Sequence, residues 1–225
     1  MVLHLMRKRI DTDALPLVFE AEATEDALAR DWTIHDCEST VEALARDWTV
    51  HDAAWTAESG WFVGLNRESR PGMLVSRGEF FGDILLEFDA RTLPPCTHDI
   101  DFMWNGSWNA ARGERGVAYV GGLQGWWNGK VGIEKSPDYL LNVGTPLFQL
   151  EPGRTYHVVA GSAQGHCFVA VDGNLLIEAT DPNPIDSSTH GKIGFEAYCS
   201  HIAIKGIRVK TLVWQPEIGH YNPEF

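Results

Sequence analysis

Two aspartates stand two positions apart in the segment HDIDFMW, which has the alternating pattern of a β-strand. Successive side chains of a strand point to opposite faces, so Asp99 and Asp101 are predicted to share one face. The residues that alternate with them, Ile100, Phe102 and Trp104, are predicted to face the core. Adjacent carboxyl groups raise one another's pKa and can divide into a general acid and a general base. The pair is therefore a candidate for proton transfer, and the alternative is two solvated acids on an outer sheet face.

A stretch rich in Trp, Asn and Gly follows this segment. A sugar has an apolar C–H face and a rim of hydroxyls, so a sugar site combines an aromatic plate with polar and charged side chains. We predict that Trp126 or Trp127 stacks on a sugar. Arg115 and Lys130 are predicted to bind hydroxyls or to stabilise developing negative charge. The alternative is that the tryptophans fill the ends of the fold. The candidate binding residues here are Trp104, Asn105, Trp108, Arg115, Trp126, Trp127 and Lys130.

Two glutamates outside this stretch lie in strand-like segments with apolar neighbours, Glu134 in KVGIEK and Glu196 in KIGFEAY. Either could complete a carboxylate pair with Asp99 and Asp101 across a sheet. We assign Glu134 to the candidate catalytic residues, with the two aspartates, and Glu196 to substrate binding. The alternative for each glutamate is an exposed acid on a strand.

Motifs for several other chemistries do not occur in the sequence. No HExxH or comparable metal spacing is present, so no metal site is predicted. The absence of GxGxxG, P-loop and GxSxG motifs argues against nucleotide binding and serine hydrolase chemistry. The four cysteines form no CxxC pair, and Cys167 and Cys199 are predicted to be small buried hydrophobic residues.

The charge balance limits the kinds of molecule that the protein is expected to bind. The 225-residue chain has 18 Lys and Arg against 31 Asp and Glu, a formal net charge of −13. Such a chain repels a phosphate backbone and an anionic membrane surface, so we expect neither nucleic acid nor membrane as a partner. No apolar run has the length of a signal peptide or a membrane span, and we expect a cytoplasmic protein with reduced thiols. A neutral sugar is compatible with this charge.

The elements that must position these residues are strands. Short alternating segments such as residues 82–91 (GDILLEFDAR) are separated by turn residues, and Asp172-Gly173 is a strong hairpin signal. Because long amphipathic helices are almost absent, the pattern predicts an all-β fold, a two-sheet antiparallel jelly-roll sandwich. We expect a single domain over residues 1–225, with its core at roughly 17–210 and a surface tail at 214–225.

A tandem duplication precedes these strands. Residues 27–36 (ALARDWTIHD) and 43–52 (ALARDWTVHD) are identical at nine of ten positions, with an offset of 16 residues (43 − 27). Each copy follows a threonine, Thr24 or Thr40, which predicts a helix N-cap and one or two helical turns. Each then continues as a short strand, W-T-[IV]-H-D. We interpret residues 24–52 as a local duplication on a scaffold that needs one copy, and which copy is the inserted one is open.

The closing half of the chain resembles a known group of domains. The segments YHVVAG, CFVAVDGNLLIEATDP and GKIGFEAYCSHIAIKGIRVK resemble the closing strands of concanavalin A-like domains of bacterial glycan utilisation. The combination is similar to the 3-keto-disaccharide hydrolase-like family and to an uncharacterised sandwich family found beside pectin-degradation enzymes. The opening LVFEAE…EALARDWTVHDAAW resembles the entry of that second family. The resemblance covers roughly residues 17–210 and implies a concanavalin A-like fold with a role in carbohydrate chemistry.

The catalytic motif of related enzymes is not reproduced. Laminarinase-like relatives on this fold carry E-x-D-x-x-E or E-x-D-x-E on one strand, whereas HDIDFMW has two acids and no Glu. Related sandwiches often hold a structural calcium ion, but this sequence has no Asp- and Asn-rich calcium loop. We therefore expect no cofactor, and a structural calcium ion is left open.

Two functional hypotheses follow from these residues. The leading hypothesis is an intracellular carbohydrate-active enzyme that cleaves or processes a small glycoside, by hydrolysis or β-elimination, in a groove on a sheet face. The alternative is a non-catalytic, lectin-like carbohydrate-binding module. The expected partner is an oligosaccharide or glycoside, while the sugar, its linkage and the oligomeric state are left open.

Overall fold

The computed structural model describes residues 1–35, 55–67, 72–126 and 129–217. It contains a short helix, α1 (Glu25–Asp31), and a 3₁₀ turn at Thr12–Ala14. The strands are β1 (Val2–Leu5), β2 (Lys8–Asp11), β3 (Leu17–Ala21), β4 (Trp32–His35), β5 (Trp55–Glu58), β6 (Trp61–Leu65), β7 (Gly72–Ser76), β8 (Ile84–Thr92), β9 (Ile100–Gly106), β10 (Trp108–Asn109), β11 (Glu114–Arg115), β12 (Ala118–Trp126), β13 (Lys130–Ser136), β14 (Asn142–Thr145), β15 (Tyr156–Ala163), β16 (His166–Val171), β17 (Asn174–Thr180), β18 (Lys192–Ala197), β19 (His201–Thr211) and β20 (Gln215–Pro216).

Two large antiparallel sheets form the body of the protein. Among the described residues, the front sheet has seven strands in the order β14-β13-β12-β9-β18-β7-β4. The back sheet has eight strands in the order β17-β16-β15-β8-β19-β6-β5, and β3 pairs with the second half of β19. The predicted two-sheet jelly-roll sandwich is confirmed.

The core lies between the two sheets and is built by strand alternation. On β9, Ile100, Phe102 and Trp104 are at most 1% exposed and face the back sheet. Phe88 of β8 meets Phe102 edge-on, with ring centroids 5.1 Å apart. Because these side chains point inward, Asp101 and Met103 must point out of the front sheet. We call that outer surface the front face.

A small third sheet covers part of the opposite side of the sandwich. Strands β1, β2 and β20 pair with one another, and Leu3 and Ile10 pack on Leu85 and Phe168 from the outer surface of the back sheet. The predicted core began at residue 17, so these first strands were missed. Their apolar contacts make the N-terminal hairpin part of the packed structure.

The first copy of the duplication is folded as the sequence predicts. The Thr24 side chain accepts a hydrogen bond from the Ala27 amide and caps α1, and β4 follows directly. Trp32 is 1% exposed and lies against Phe62 and Phe195 in the core. The second copy, residues 43–52, lies outside the described residues. One copy therefore supplies the capped helix, the strand and the buried indole.

The hairpin predicted at Asp172-Gly173 is found, and the hairpin between β5 and β6 turns in the same way. Ser59 and Gly60 between β5 and β6 have φ values of 50° and 78°, and Asp172 and Gly173 between β16 and β17 have 50° and 81°. These left-handed conformations match the twist of two-residue hairpins, which explains the Gly at each second position. In the part of the chain that the structure describes, no helix has the length and apolar character needed to cross a membrane.

Candidate functional site

Three strands bring carboxyl groups together on the front face. Asp101 of β9 and Glu196 of β18 are direct cross-strand partners. Glu134 lies on β13, which β12 separates from β9. The three side chains are 2–6% exposed, so these acids are buried rather than solvated. The alternation that placed the apolar residues of β9 in the core therefore also places Asp101 in an acidic cluster.

Asp99 joins this cluster from outside the strand. It precedes β9 and has a φ of 72°, a left-handed conformation that is uncommon for residues other than glycine. Its carboxyl group hydrogen-bonds the carboxyl group of Asp101, and it is 5% exposed. One oxygen of each aspartate, Oδ1, is buried without a hydrogen-bond partner. Unsatisfied buried acceptors are rare in folded proteins and point to a ligand or to a shared proton.

The environment favours the protonated form of both aspartates. Burial raises the pKa of Asp99 to about 7; the charge of Glu196 adds to the increase, and the hydrogen bond with Asp101 opposes it. Burial raises the pKa of Asp101 well above its ordinary value, and the neighbouring Asp99 raises it further. Two close carboxyl groups cannot both ionise easily, so the pair can hold a proton at neutral pH.

Arg115 places one positive charge among these acids. Its guanidinium forms an ion pair with Glu196, lies 3.8 Å from Glu134 and donates from Nε to Ser136 Oγ at 3.2 Å. The sequence predicted that this guanidinium would bind hydroxyls or developing charge. In the structure its contacts are with the two glutamates and Ser136, so it holds the acids in place, and its binding of hydroxyls or developing charge stays a prediction.

A short arm carries Arg115 across the front face. Strands β10 and β11 form this arm, residues 107–117, whose neck is closed by hydrogen bonds from Ser107 N to Val117 O (2.8 Å) and from Gly116 N to Ser107 O (3.0 Å). Trp108 is half-buried and packs on the apolar part of the front face. That part consists of Met73, Val75, Met103, Ala118 and Val120. The arm thus covers the apolar part and leaves the acids beside it.

Two predicted binding residues do not reach the front face. Trp104 is 0% exposed in the core, stacked on Phe102 with a centroid distance of 6.2 Å. Asn105 is 0% exposed; its amide donates to Gly82 O at 3.0 Å and its Oδ1 accepts from Ser162 at 2.8 Å. Their assignment to substrate binding was wrong, because strand alternation and internal hydrogen bonds turn them away from solvent.

Of the other predicted binding residues, Lys130 reaches the front face, and the stacking of the two tryptophans is not tested by the structure. Lys130 is half-buried and shares the front face with Glu134, four positions along the same strand. Trp126 ends β12 as the strand partner of Lys130. Trp127 lies outside the described residues. The structure therefore brings Asp99, Asp101, Glu134, Glu196, Arg115 and Lys130 to one face, and stacking by the two tryptophans stays a prediction.

Two tyrosines near the cluster were not predicted. Tyr198 follows β18 two positions after Glu196 and is 36% exposed. Partial burial raises its pKa, and Cys199, Glu196, Tyr139 and Asp99 contribute to the increase. Tyr139, in the turn between β13 and β14, is 56% exposed. The spacing of Tyr198 from Glu196 was the available signal, because alternate residues of a strand share a face.

No metal site is found in the described ranges. Groups of three or more His, Cys, Asp or Glu with the geometry to hold a metal ion do not occur there. The acidic cluster instead combines a carboxyl pair, two glutamates fixed by one guanidinium, and two buried oxygens without partners. This arrangement is suited to proton transfer between carboxyl groups and a bound molecule.

Comparisons with known proteins show the class of fold. No family model and no curated protein matches the chain. A structure reported for endo-acting O-glycanases of the human gut microbiota is 12% identical with a TM-score of 0.62, covering 88% of this chain and 100% of that one. The β-glucanase of Bacillus licheniformis is 14% identical with a TM-score of 0.54, covering 80% and 92%. Carbohydrate-binding module CBM66 of Bacillus subtilis is 12% identical with a TM-score of 0.51, covering 80% and 94%.

These similarities define a concanavalin A-like sandwich. The predicted resemblance to that class of fold is confirmed. At such low identities the similarity concerns the fold alone, because one fold serves many unrelated functions. The cluster on the front face is therefore the feature that indicates the function.

Proposed function

We propose that the protein is a carbohydrate-active enzyme that hydrolyses a small glycoside at the acidic cluster of the front face. The observation that carries this proposal is the Asp99–Asp101 pair, buried and hydrogen-bonded, with one oxygen of each carboxyl group lacking a partner. A buried acid pair with unsatisfied oxygens costs stability, so a function is the best explanation for its presence.

The aspartate pair would act as the proton donor. Burial raises the pKa of Asp99 to about 7, so the pair can be protonated at neutral pH and can still release its proton. Cleavage of a glycosidic bond requires such an acid, because the leaving oxygen must be protonated as the bond breaks. Asp101 is assigned to this transfer because it is the member of the pair beside Glu196.

Glu196 would be the partner carboxylate of the reaction. It lies directly across from Asp101 and carries an ion pair with Arg115. Cross-strand partners have Cβ atoms about 5 Å apart, so the two carboxyl groups can reach the separation of about 5–5.5 Å that retaining glycosidases use. Such spacing favours a double displacement in which Glu196 attacks the anomeric carbon and water later releases the sugar.

Hydrolysis is favoured over β-elimination by the position of Arg115. Elimination needs a cation that is available to hold an enolate on the substrate. The Arg115 guanidinium contacts Glu134, Glu196 and Ser136 instead. The glycanase and glucanase among the structural neighbours, and the formal net charge of −13, support a neutral glycoside as substrate.

The test is a substrate screen with product analysis. Oligosaccharides and 3-keto-glycosides are incubated with the protein and with Asp101→Asn, and products are separated and identified. Glu22→Gln serves as the matched control, because Glu22 is exposed and precedes the capped helix, away from the cluster. We expect product with the parent and the control and at least a hundredfold slower formation with Asp101→Asn. Equal rates in all three proteins would refute the assignment.

A non-catalytic carbohydrate-binding module is the second candidate. Tyr198, which is partly exposed beside the cluster, and its neighbour Tyr139 favour it, because tyrosine rings can stack on sugars without any chemistry. CBM66 among the structural neighbours is consistent with this alternative. Binding of an oligosaccharide, measured by calorimetry, without any product after prolonged incubation would support the module and exclude the enzyme.

A further inference from the structure

The carboxyl group of Asp99 lies against a residue that has no side chain. A Cβ atom built on Gly125 would be 2.1 Å from Asp99 Oδ1, 2.4 Å from Cγ and 2.6 Å from Oδ2. Real Cβ atoms essentially never approach another atom closer than 3.0 Å. All three carboxyl atoms of Asp99 therefore occupy space that any other residue at position 125 would fill.

The backbone conformation on both sides brings the Asp99 carboxyl group and Gly125 into contact. Asp99 has a φ of 72° and Gln124 a φ of 69°, both left-handed. The register of β12 against β13 is irregular between Gly122 and Trp126, so the end of β12 departs from regular strand geometry. Left-handed residues other than glycine are strained and persist where the surrounding structure demands them.

We propose that Gly125 is a positioning residue, whose bare Cα lets the Asp99 carboxyl group lie in hydrogen-bonding contact with Asp101. The catalytic meaning of this contact rests on the proposed function. The contact itself is a matter of geometry and can be tested without a substrate.

A methyl group at position 125 must separate the pair. In Gly125→Ala the Asp99 carboxyl group has to move away from the added methyl group by about 1 Å or more to restore a normal contact. Asp101 then loses both the hydrogen bond and the charge of Asp99, each of which raises its pKa. Asp99 loses the hydrogen bond that lowers its pKa but gains solvent, and because burial is the larger of the two causes its pKa should fall.

The experiment is an NMR titration of protein labelled with ¹³C at the aspartate carboxyl carbons, with Asp99→Asn used to assign Asp99. The parent should show the Asp99 signal titrating near pH 7. In Gly125→Ala we expect that midpoint to fall towards the ordinary value of about 4. The control is Gly78→Ala, whose added Cβ meets only the Phe80 ring, at an ordinary 3.4 Å, and the Asp99 midpoint should not move. An unchanged midpoint in folded Gly125→Ala would overturn the proposal.

A second measurement decides the matter if Gly125→Ala folds poorly. Asp99→Gly removes the clashing carboxyl group and suits the left-handed backbone at that position. The Gly125→Ala substitution should therefore cost much less thermal stability in the Asp99→Gly background than in the parent. An equal cost in both backgrounds would show that Asp99 is not what the methyl group meets. Failure here leaves the Asp101→Asn test of the proposed function unaffected.

Discussion

Asp101 and Glu196 are direct cross-strand partners on β9 and β18, and neither is more than 6% exposed. Two ionised carboxylates at this separation and burial would repel each other strongly. The structure avoids this in two ways, since Asp101 shares a hydrogen bond with Asp99 and Glu196 pairs with Arg115. Asp101 is therefore favoured as the acid of the two, and Glu196 is the one that forms an ion pair, a division of roles that glycoside hydrolysis can use.

The closeness of this pair predicts the stereochemistry of the reaction. If Glu196 attacks the anomeric carbon, the sugar is released with its anomeric configuration retained. Proton NMR of the first product, recorded before mutarotation, distinguishes the two anomers. Retention is the expected outcome. The inverted anomer would show that water attacks directly, and Glu196 would then be a general base.

The aspartate pair predicts a pH dependence of stability. The pKa of Asp99 is raised to about 7 in the folded protein from 3.8, so the folded state binds the proton more tightly than the unfolded state. Its stabilising contribution is present below about pH 4 and is lost as the pH rises to about 7. Thermal unfolding from pH 4 to 8 should show the parent losing stability relative to Asp99→Asn, which cannot ionise. Parallel curves for the two proteins would contradict the raised pKa.

Removing the positive charge of Arg115 from the cluster should lower the free energy of unfolding. Arg115→Ala leaves Glu134 and Glu196 buried without their shared partner, and we expect a loss of about 3 kcal/mol in the free energy of unfolding. Arg112→Ala is the control on the same arm, because Arg112 is 71% exposed and pairs with Glu114 in solvent. That change should cost less than about 0.5 kcal/mol. Chemical denaturation measures both, and similar losses would mean that Arg115 is not integral to the cluster.

Tyr198 is expected to contribute to sugar binding. Its ring lies beside the carboxyl groups and is 36% exposed, so Tyr198→Ala should weaken binding of the glycoside by about 1 kcal/mol. Val213→Ala is the control, because Val213 is exposed next to Leu212, which packs under the small third sheet. Calorimetry with the glycoside found in the screen measures both affinities. Unchanged affinity in Tyr198→Ala would remove this residue from the site.

One copy of the duplication should suffice for folding. Deleting residues 31–46 or residues 37–52 gives two chains that differ only in carrying Val50 or Ile34 at one position. Each keeps one capped helix and one buried Trp, so each should unfold cooperatively with nearly the parent's stability. Circular dichroism during thermal unfolding tests this. As a control, Trp32→Ala in the second deletion should cost about 3 kcal/mol or more. A soluble but non-cooperative chain after either deletion would show that both copies are required.

The local alternation of apolar and polar residues was sufficient to predict the strands, but not which strands pair with one another. Period-2 alternation identified the core side of β9 and therefore the outward direction of Asp101. It could not show that Glu196 would be the partner of Asp101, because strand order and register depend on contacts between distant segments. For this reason Glu134 was assigned to the catalytic residues and Glu196 to substrate binding, whereas the register makes Glu196 the cross-strand partner of Asp101.

The errors have equally specific causes. Trp104 was assigned to sugar binding because it stands in a Trp-rich stretch, although its alternation with Asp101 already placed it in the core. The contacts of Arg115 depend on how the arm folds, and the local periodicity of the sequence does not predict that fold. Strand β1 has four residues, of which only two are buried. An alternating pattern of this length cannot be distinguished from a loop in the sequence.

The third sheet has a consequence for how the chain reaches its native state. His4 bonds to Glu217, 213 positions away, and β2 pairs with β20, so the outer layer joins the two extremes of the described chain. Contacts of such long range form late and slow the overall rate of folding. During synthesis the edge of β2 that pairs with β20 would stay open until residues 215–216 have left the ribosome. The nascent protein would therefore present an unpaired strand edge, and this makes it a natural client for chaperones that bind exposed extended segments.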